Sequence, residues 1–154
     1  MICVNAVIAG LYAALTLLLA PISFGPVQLR IAEAFTILPA LMPFTMWGVA
    51  AGCLIGNIFY PVMGIYDVVF GTAITLAAAF ITSKIKNMWL APLPPILLNA
   101  FFLPLIWYLT AGATVYWLNV LTVFIGQTLA LYAAGIPLYV IMKKSVFPLL
   151  FKEN

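Results

Sequence analysis

The chain has 154 residues, 67% of them hydrophobic and 6% charged, with six Lys or Arg against three Asp or Glu and no His. A soluble domain carries about 25% charged residues, so a chain with mean hydropathy +1.25 lacks the polar surface that folding in water requires. The composition therefore describes an integral membrane protein. It also excludes a nucleic-acid-binding domain, because the basic residues are few and lie at the ends of apolar stretches, and it excludes His-dependent nucleophilic catalysis. Two cysteines, Cys3 and Cys53, without CxxC spacing leave no metal cage or disulfide framework, and both thiols read as packing residues.

Hydrocarbon about 30 Å thick takes roughly 20 helical residues per crossing. The apolar stretches have that scale and no period-2 alternation, so the expected class is all-α, a single integral membrane domain over residues 1–154 with about six crossings. Proline and glycine mark the breaks. A first helix is expected over residues 2–20, ended by Pro21. It lacks the basic leader and small-residue cleavage site of a secretory signal. A loop containing Gly25 and Pro26 follows, then a helix over 29–41 that stops near Pro43. The third, over 47–60, ends at Pro61, and a turn at Gly64 leads into a fourth over 66–85. After the connection "KIKNMWLAPLPP", a fifth runs over 95–109, and "TAGAT" opens a long sixth that ends at Lys143. The second and third are short for full crossings.

Lysines set the expected topology. Lys84 and Lys86 follow one apolar block and Lys143, Lys144 and Lys152 the last, so both clusters are expected on the cytoplasmic side. Two crossings separate them, as this requires. Counting back four crossings from Lys84 puts the N-terminus in the cytoplasm and the stretch from Gly25 to Arg30 outside. Arg30 therefore stands against the charge rule, which favours a specific role for it.

Arg30, Glu33 and Asp67 are the ionisable groups, Tyr and Cys aside, that lie well away from the cytoplasmic connection and tail. Each costs about 2.5–3.5 kcal/mol at a helix centre, so such groups face a cavity, a partner or a ligand. One reading is a local ion pair between Arg30 and Glu33, which are i, i+3 neighbours. One Arg cannot cancel two carboxylates, however. Asp67 reads either as a helix N-cap or dipole partner or, with Glu33, as half of a site for a cationic or donor-rich small molecule. Aromatic residues gather at the same level: Phe24, Phe35, Tyr60, Tyr66, Phe70, Trp107, Tyr108, Tyr116 and Trp117. Most fit an interfacial belt; a flat heteroaromatic ligand would use two as stacking walls, for which Phe70 and Trp107 are the candidates. Asn57, Asn99 and Gln127 are buried amides, serving either interhelical packing or a ligand. Small residues on the first helix form two rows at spacing four, Ala6-Gly10-Ala14 and Ala9-Ala13, which permit close approach of another helix. With no phosphate-binding GxxxxGK[ST] loop, active transport by this chain needs ion coupling or a separate ATPase.

"APISFGPVQLRIAEAFTILPAL", "GCLIGN", "DVVFGTAITLAAA" and "WLAPLPPILLNA" are similar, in order and spacing, to the queuosine-precursor transporter family, substrate-binding S components of energy-coupling-factor (ECF) transporters. The likeness runs from the first helix to about Ala100. Family members more often carry Ser where Ala32 stands. The resemblance implies a six-transmembrane-helix bundle of the ECF S-component type with both termini cytoplasmic. It also implies capture of a 7-deazaguanine such as 7-aminomethyl-7-deazaguanine (preQ1) or queuine near the outer face, and partners comprising a transmembrane T component and two ABC ATPase subunits. No cofactor or metal is implied. Arg30, Glu33, Asp67 and Asn99 become candidate ligand groups, with Gly25 and Pro26 in a covering loop, and Ala6, Gly10 and Ala14, or Ala9 and Ala13, become the docking face for the T component. Two other readings remain open: an S component for another small molecule such as a vitamin, and a stand-alone ion-coupled carrier or channel whose acids are proton sites. A structural subunit without a ligand, with the three charges in one buried network, is a third.

Overall fold

The computed structural model describes residues 1–23, 29–60, 64–112 and 115–150, so the loop residues Phe24, Gly25 and Pro26, the break at Pro61 and the tail residue Lys152 lie outside the described residues. Every regular element among those described is helical: α1 (Ile2–Leu18), α2 (Ala20–Ser23), a 3₁₀ segment (Ile31–Ala40) with a further 3₁₀ turn (Pro43–Thr45), α3 (Met46–Phe59), a π turn (Asp67–Gly71), α4 (Thr72–Thr82), α5 (Leu93–Ala111), α6 (Tyr116–Leu129), a second π turn (Ala130–Gly135), α7 (Ile136–Ser145) and α8 (Phe147–Leu150). Two stretches, Leu93–Thr110 and the continuous Tyr116–Leu149, are long and apolar enough to cross a bilayer. The apolar helices Ile2–Leu18, Ile31–Ala40, Pro43–Phe59 and Asp67–Thr82 are shorter. Length alone therefore supports two crossings, and the expected count of six is not fixed by it.

Several breaks fall where chain chemistry demands them. Pro94 and Pro95 open α5, where the missing N–H groups have no intrahelical partner to lose. Gly112 closes α5 in the left-handed region at φ 63°, a conformation glycine adopts without a Cβ penalty. Pro21 does not stop the first helical run as expected; it sits inside the short α2, directly after α1 ends at Leu18. The fourth helix ends at Thr82 instead of residue 85, and the Thr82 hydroxyl donates to the Ala91 carbonyl (3.2 Å), tying the basic connection to the helix end.

The largest departure is the second helix. Residues Ile31–Ala40 are wound as a 3₁₀ helix, whereas the sequence pattern suggested an α-helix. Runs beyond three or four residues are uncommon because the hydrogen bonds are poorer, and they mark functional or constrained segments. Two causes are visible. Pro39 inside the segment removes an N–H and disfavours α geometry before it. All residues from Ala32 to Pro39 are buried, since α1, α4 and the second π turn enclose the segment. At three residues per turn, side chains at i and i+3 eclipse. Glu33 and Thr36 therefore share one column, with Arg30 at the N-cap before it, and Ala32, Phe35 and Leu38 share another. Ten residues rising about 2.0 Å each cover about 20 Å, against about 15 Å for an α-helix.

α1 and α3 form the most extensive pairing, and glycine makes it possible. A Cβ on Gly52 would stand 2.6 Å from Tyr12 Cβ and 2.8 Å from the Ala9 carbonyl oxygen; one on Gly48 would stand 2.8 Å from the Asn5 carbonyl oxygen. Gly48, Gly52 and Gly56 thus form a flat stripe into which α1 sinks. The main core joins Ile8, Tyr12, Phe35, Ile37, Leu38, Val49, Ile96 and Leu131, and a second cluster joins Ala100, Leu103, Trp107 and Val123. Large apolar side chains such as Val7, Leu11, Ile58, Phe59, Phe80, Leu109, Leu118 and Leu129 lie on the outside, an exposed apolar surface far larger than a water-soluble monomer tolerates.

Candidate functional site

The 3₁₀ column delivers Glu33 into the middle of the bundle. Its residue is 0% exposed and Arg30 is 5% exposed. The Tyr12 hydroxyl of α1 donates to Glu33 Oε1 at 2.6 Å, at the short end of O–H···O hydrogen bonds. The Thr36 hydroxyl donates to the Glu33 carbonyl at 2.7 Å. The Arg30 guanidinium acts on Glu33 as the compensating charge, and the Asn99 amide of α5 lies beside the same carboxylate. One turn joins the two residues: Arg30 is the N-cap of the 3₁₀ segment and its carbonyl accepts from the Glu33 N–H at 3.0 Å.

From Glu33 a polar ribbon crosses the bundle. Tyr12 adjoins Cys53, whose sulfur lies 3.4 Å from Thr75 Oγ1 and 3.4 Å from Asn57 Nδ2. Asn57 Nδ2 also donates to the backbone carbonyl of Asp67 at 3.0 Å, and Trp107 Nε1 donates to Asp67 Oδ1 at 3.2 Å. Asp67 is 4% exposed and Trp107 6% exposed. The two buried carboxylate residues thus belong to one connected set of groups drawn from α1, the 3₁₀ segment, α3, the first π turn, α4 and α5. Asp67 stands in the first turn of the helical run that continues into α4, where its charge also meets the helix dipole. The first π turn carries Asp67, and such turns recur at functional sites.

Of the candidates read from the sequence, Arg30, Glu33, Asn99, Asp67 and Trp107 are all buried. Phe70 is not brought to this set: its ring is exposed, stacks on Tyr66 with centroids 6.5 Å apart, and lines a shallow groove with Phe102 and Ile74. Tyr108, Tyr116 and Trp117 contact one another edge-on near the other end of α5. The small-residue rows of α1 are separated: Ala9 and Ala13 are buried, with Ala9 against Gly52, while Ala6, Gly10 and Ala14 are exposed and a Cβ on Gly10 would meet nothing within 4 Å. Cys3 is exposed and Cys53 buried, the latter within the ribbon as more than packing.

Tyr12, Thr36 and Thr75 were missed by sequence reasoning. Tyr12 had a signal: it is a phenol mid-way along an apolar helix, away from either interface, and a buried hydroxyl requires a partner. Tyr12→Phe is expected to lower the thermal stability of the detergent-solubilised protein, since a hydrogen bond to a charged group is worth roughly 1.5–3 kcal/mol. A melting temperature equal to wild type, followed by circular dichroism, would show that the 2.6 Å contact adds no net stability.

Searches of curated proteins and of solved structures return no match to this chain. The model of the QueT transporter family matches residues 2–144. That span takes in α1, the 3₁₀ segment and every member of the polar ribbon, so the buried carboxylates sit within a transport protein and not an enzyme, and the chain belongs to the QueT transporter family.

Proposed function

We propose that the chain is the substrate-binding S component of an ECF-type importer and captures a queuosine precursor, a 7-deazaguanine such as preQ1 or queuine. The observation that carries the reading is Glu33, a fully buried carboxylate held by Tyr12 and faced by Arg30 and Asn99. A buried charge costs several kcal/mol and is retained where it has a task. A 7-deazaguanine supplies adjacent N–H donors that suit one carboxylate and, in preQ1, an ammonium that suits a second. Asp67, at the far end of the ribbon, is that second carboxylate. Trp107, which already donates to Asp67, offers an indole wall for the planar ring, and Asn99 a further polar contact.

In this reading the chain crosses the bilayer six times with both termini in the cytoplasm, the short α1, 3₁₀ and α3 stretches being counted as crossings. Arg30 and Glu33 then lie toward the outer half, where substrate is taken up. A transmembrane T component and two ABC ATPase subunits supply the energy. The test is calorimetric titration of the purified chain with preQ1, guanine and queuine. Tight binding of a 7-deazaguanine supports capture by this subunit alone; no binding by a folded protein removes the substrate assignment.

The exposed row Ala6-Gly10-Ala14 is the docking face for the T component in this scheme, because the alternative row is already spent on α3. Gly10→Leu is expected to leave preQ1 affinity within about twofold, as surface changes away from a site do, while uptake by the assembled transporter is lost. Uptake at the wild-type rate would move docking to another face.

A further inference from the structure

Glu33 Oε2 and Asn99 Nδ2 are among the buried polar atoms that make no hydrogen bond among the described residues. Their residues are 0% and 1% exposed. A buried unsatisfied donor or acceptor costs about 1–3 kcal/mol, and native folds retain few. The two groups lie side by side, the Asn99 amide close enough to act on the Glu33 carboxylate, yet neither atom makes a hydrogen bond of good geometry among the described residues. They sit on different elements, the 3₁₀ segment and α5. Glu33 is also not free to turn toward Asn99, because Tyr12 holds Oε1 at 2.6 Å. The site therefore presents an acceptor next to a donor, the carboxylate anchored through Tyr12.

From this juxtaposition we infer that Glu33 Oε2 and Asn99 Nδ2 together read a lactam edge, a ring N–H beside a ring C=O. The N–H donates to Oε2 and the carbonyl accepts from Nδ2. The inference rests on the substrate site proposed above and assigns the poles of a 7-deazaguanine: the edge of the six-membered lactam ring faces Glu33 and Asn99 together, and the substituent on the five-membered ring extends toward Asp67. It also defines what the site rejects. An aminopyrimidine edge, as in 7-deazaadenine, reverses both polarities, setting a lone pair against Oε2 and an N–H against Nδ2.

Equilibrium titration of the purified full chain with 7-deazaguanine, 7-deazahypoxanthine and 7-deazaadenine tests this. Wild type is expected to bind the first two and to reject 7-deazaadenine by about 10⁴-fold, the discrimination of a site whose buried polar groups are left unpaired by the wrong ligand. Asn99→Asp, near-isosteric but lacking the donor, is expected to weaken 7-deazaguanine by more than about tenfold and to shrink that discrimination, because the new acceptor suits the 7-deazaadenine amine. Comparable binding of 7-deazaguanine and 7-deazaadenine by wild type, which needs no variant to fold, overturns the edge assignment and leaves substrate capture standing. An unchanged ratio in a folded Asn99→Asp protein does the same. Failure of all three ligands with folded wild type overturns both.

Discussion

Glu33→Gln is expected to abolish measurable preQ1 binding while leaving a folded, extractable protein. The substitution preserves shape and keeps an oxygen for the Tyr12 hydroxyl, which now stands 2.6 Å from Oε1, so the local scaffold loses charge and not volume. What disappears is the acceptor strength of Oε2 and the partner charge for Arg30, which is itself 5% exposed. Hydrogen bonds to a charged group are worth roughly 1.5–3 kcal/mol each, and leaving a buried charge uncompensated costs about 3–5 kcal/mol. A loss of two charge-assisted contacts corresponds to at least about a hundredfold in affinity. Titration of wild type and variant with preQ1, alongside a thermal melt of each, separates binding from folding. Unchanged affinity would reduce Arg30 and Glu33 to a structural ion pair; lost affinity together with an unfolded protein would make the pair a stability element first.

The membrane class was legible because lipid leaves the chain few options: a sequence with 6% charged residues must satisfy its backbone internally, and helices do that. Helix ends were legible where Pro or Gly acts locally, as at Gly112 and Pro94. Winding was not. In "IAEAFTILPA" apolar residues occupy almost every position, so spacing three and spacing four fit equally well. Only burial on all sides and Pro39 select the 3₁₀ form. That choice shapes the site, because it stacks Glu33 and Thr36 on one column of the buried segment. Charges deep in apolar sequence point to Arg30, Glu33 and Asp67, while Tyr12, a lone phenol in an apolar helix, joins them only through its bond to Glu33. Phe70 reads from the sequence as a stacking wall at the level of the charges, but the π turn leaves its ring outside. The two small-residue rows of α1 were equivalent as patterns, and only the position of α3 distinguishes the buried row from the open one.

Gly52→Ala is expected to damage stability and substrate binding together, although Gly52 bears no polar group. The added Cβ would lie 2.6 Å from Tyr12 Cβ, 2.8 Å from the Ala9 carbonyl oxygen and 3.1 Å from Ala9 Cα. Two of these are backbone atoms of α1, so no flexible side-chain tip can swing aside and the helix itself must retreat from α3. Overpacking of this kind costs about 1–3 kcal/mol. The retreat also carries Tyr12, which links α1 to Glu33, and a bond at 2.6 Å weakens steeply when its donor is drawn back. A lower melting temperature and roughly tenfold weaker preQ1 binding are the expected pair of results. Gly10→Ala, on the face of α1 where an added Cβ meets nothing within 4 Å, is the matched control; it should keep preQ1 affinity and gain about 0.5–1 kcal/mol of helix stability. Wild-type melting and affinity in Gly52→Ala would mean that the bundle absorbs the methyl without moving α1. A fall in affinity without a fall in melting temperature would instead place the strain in Tyr12 alone. The expected double loss follows from one geometric fact: the face of α1 that packs on the α3 glycines is the face that holds the Glu33 carboxylate in place.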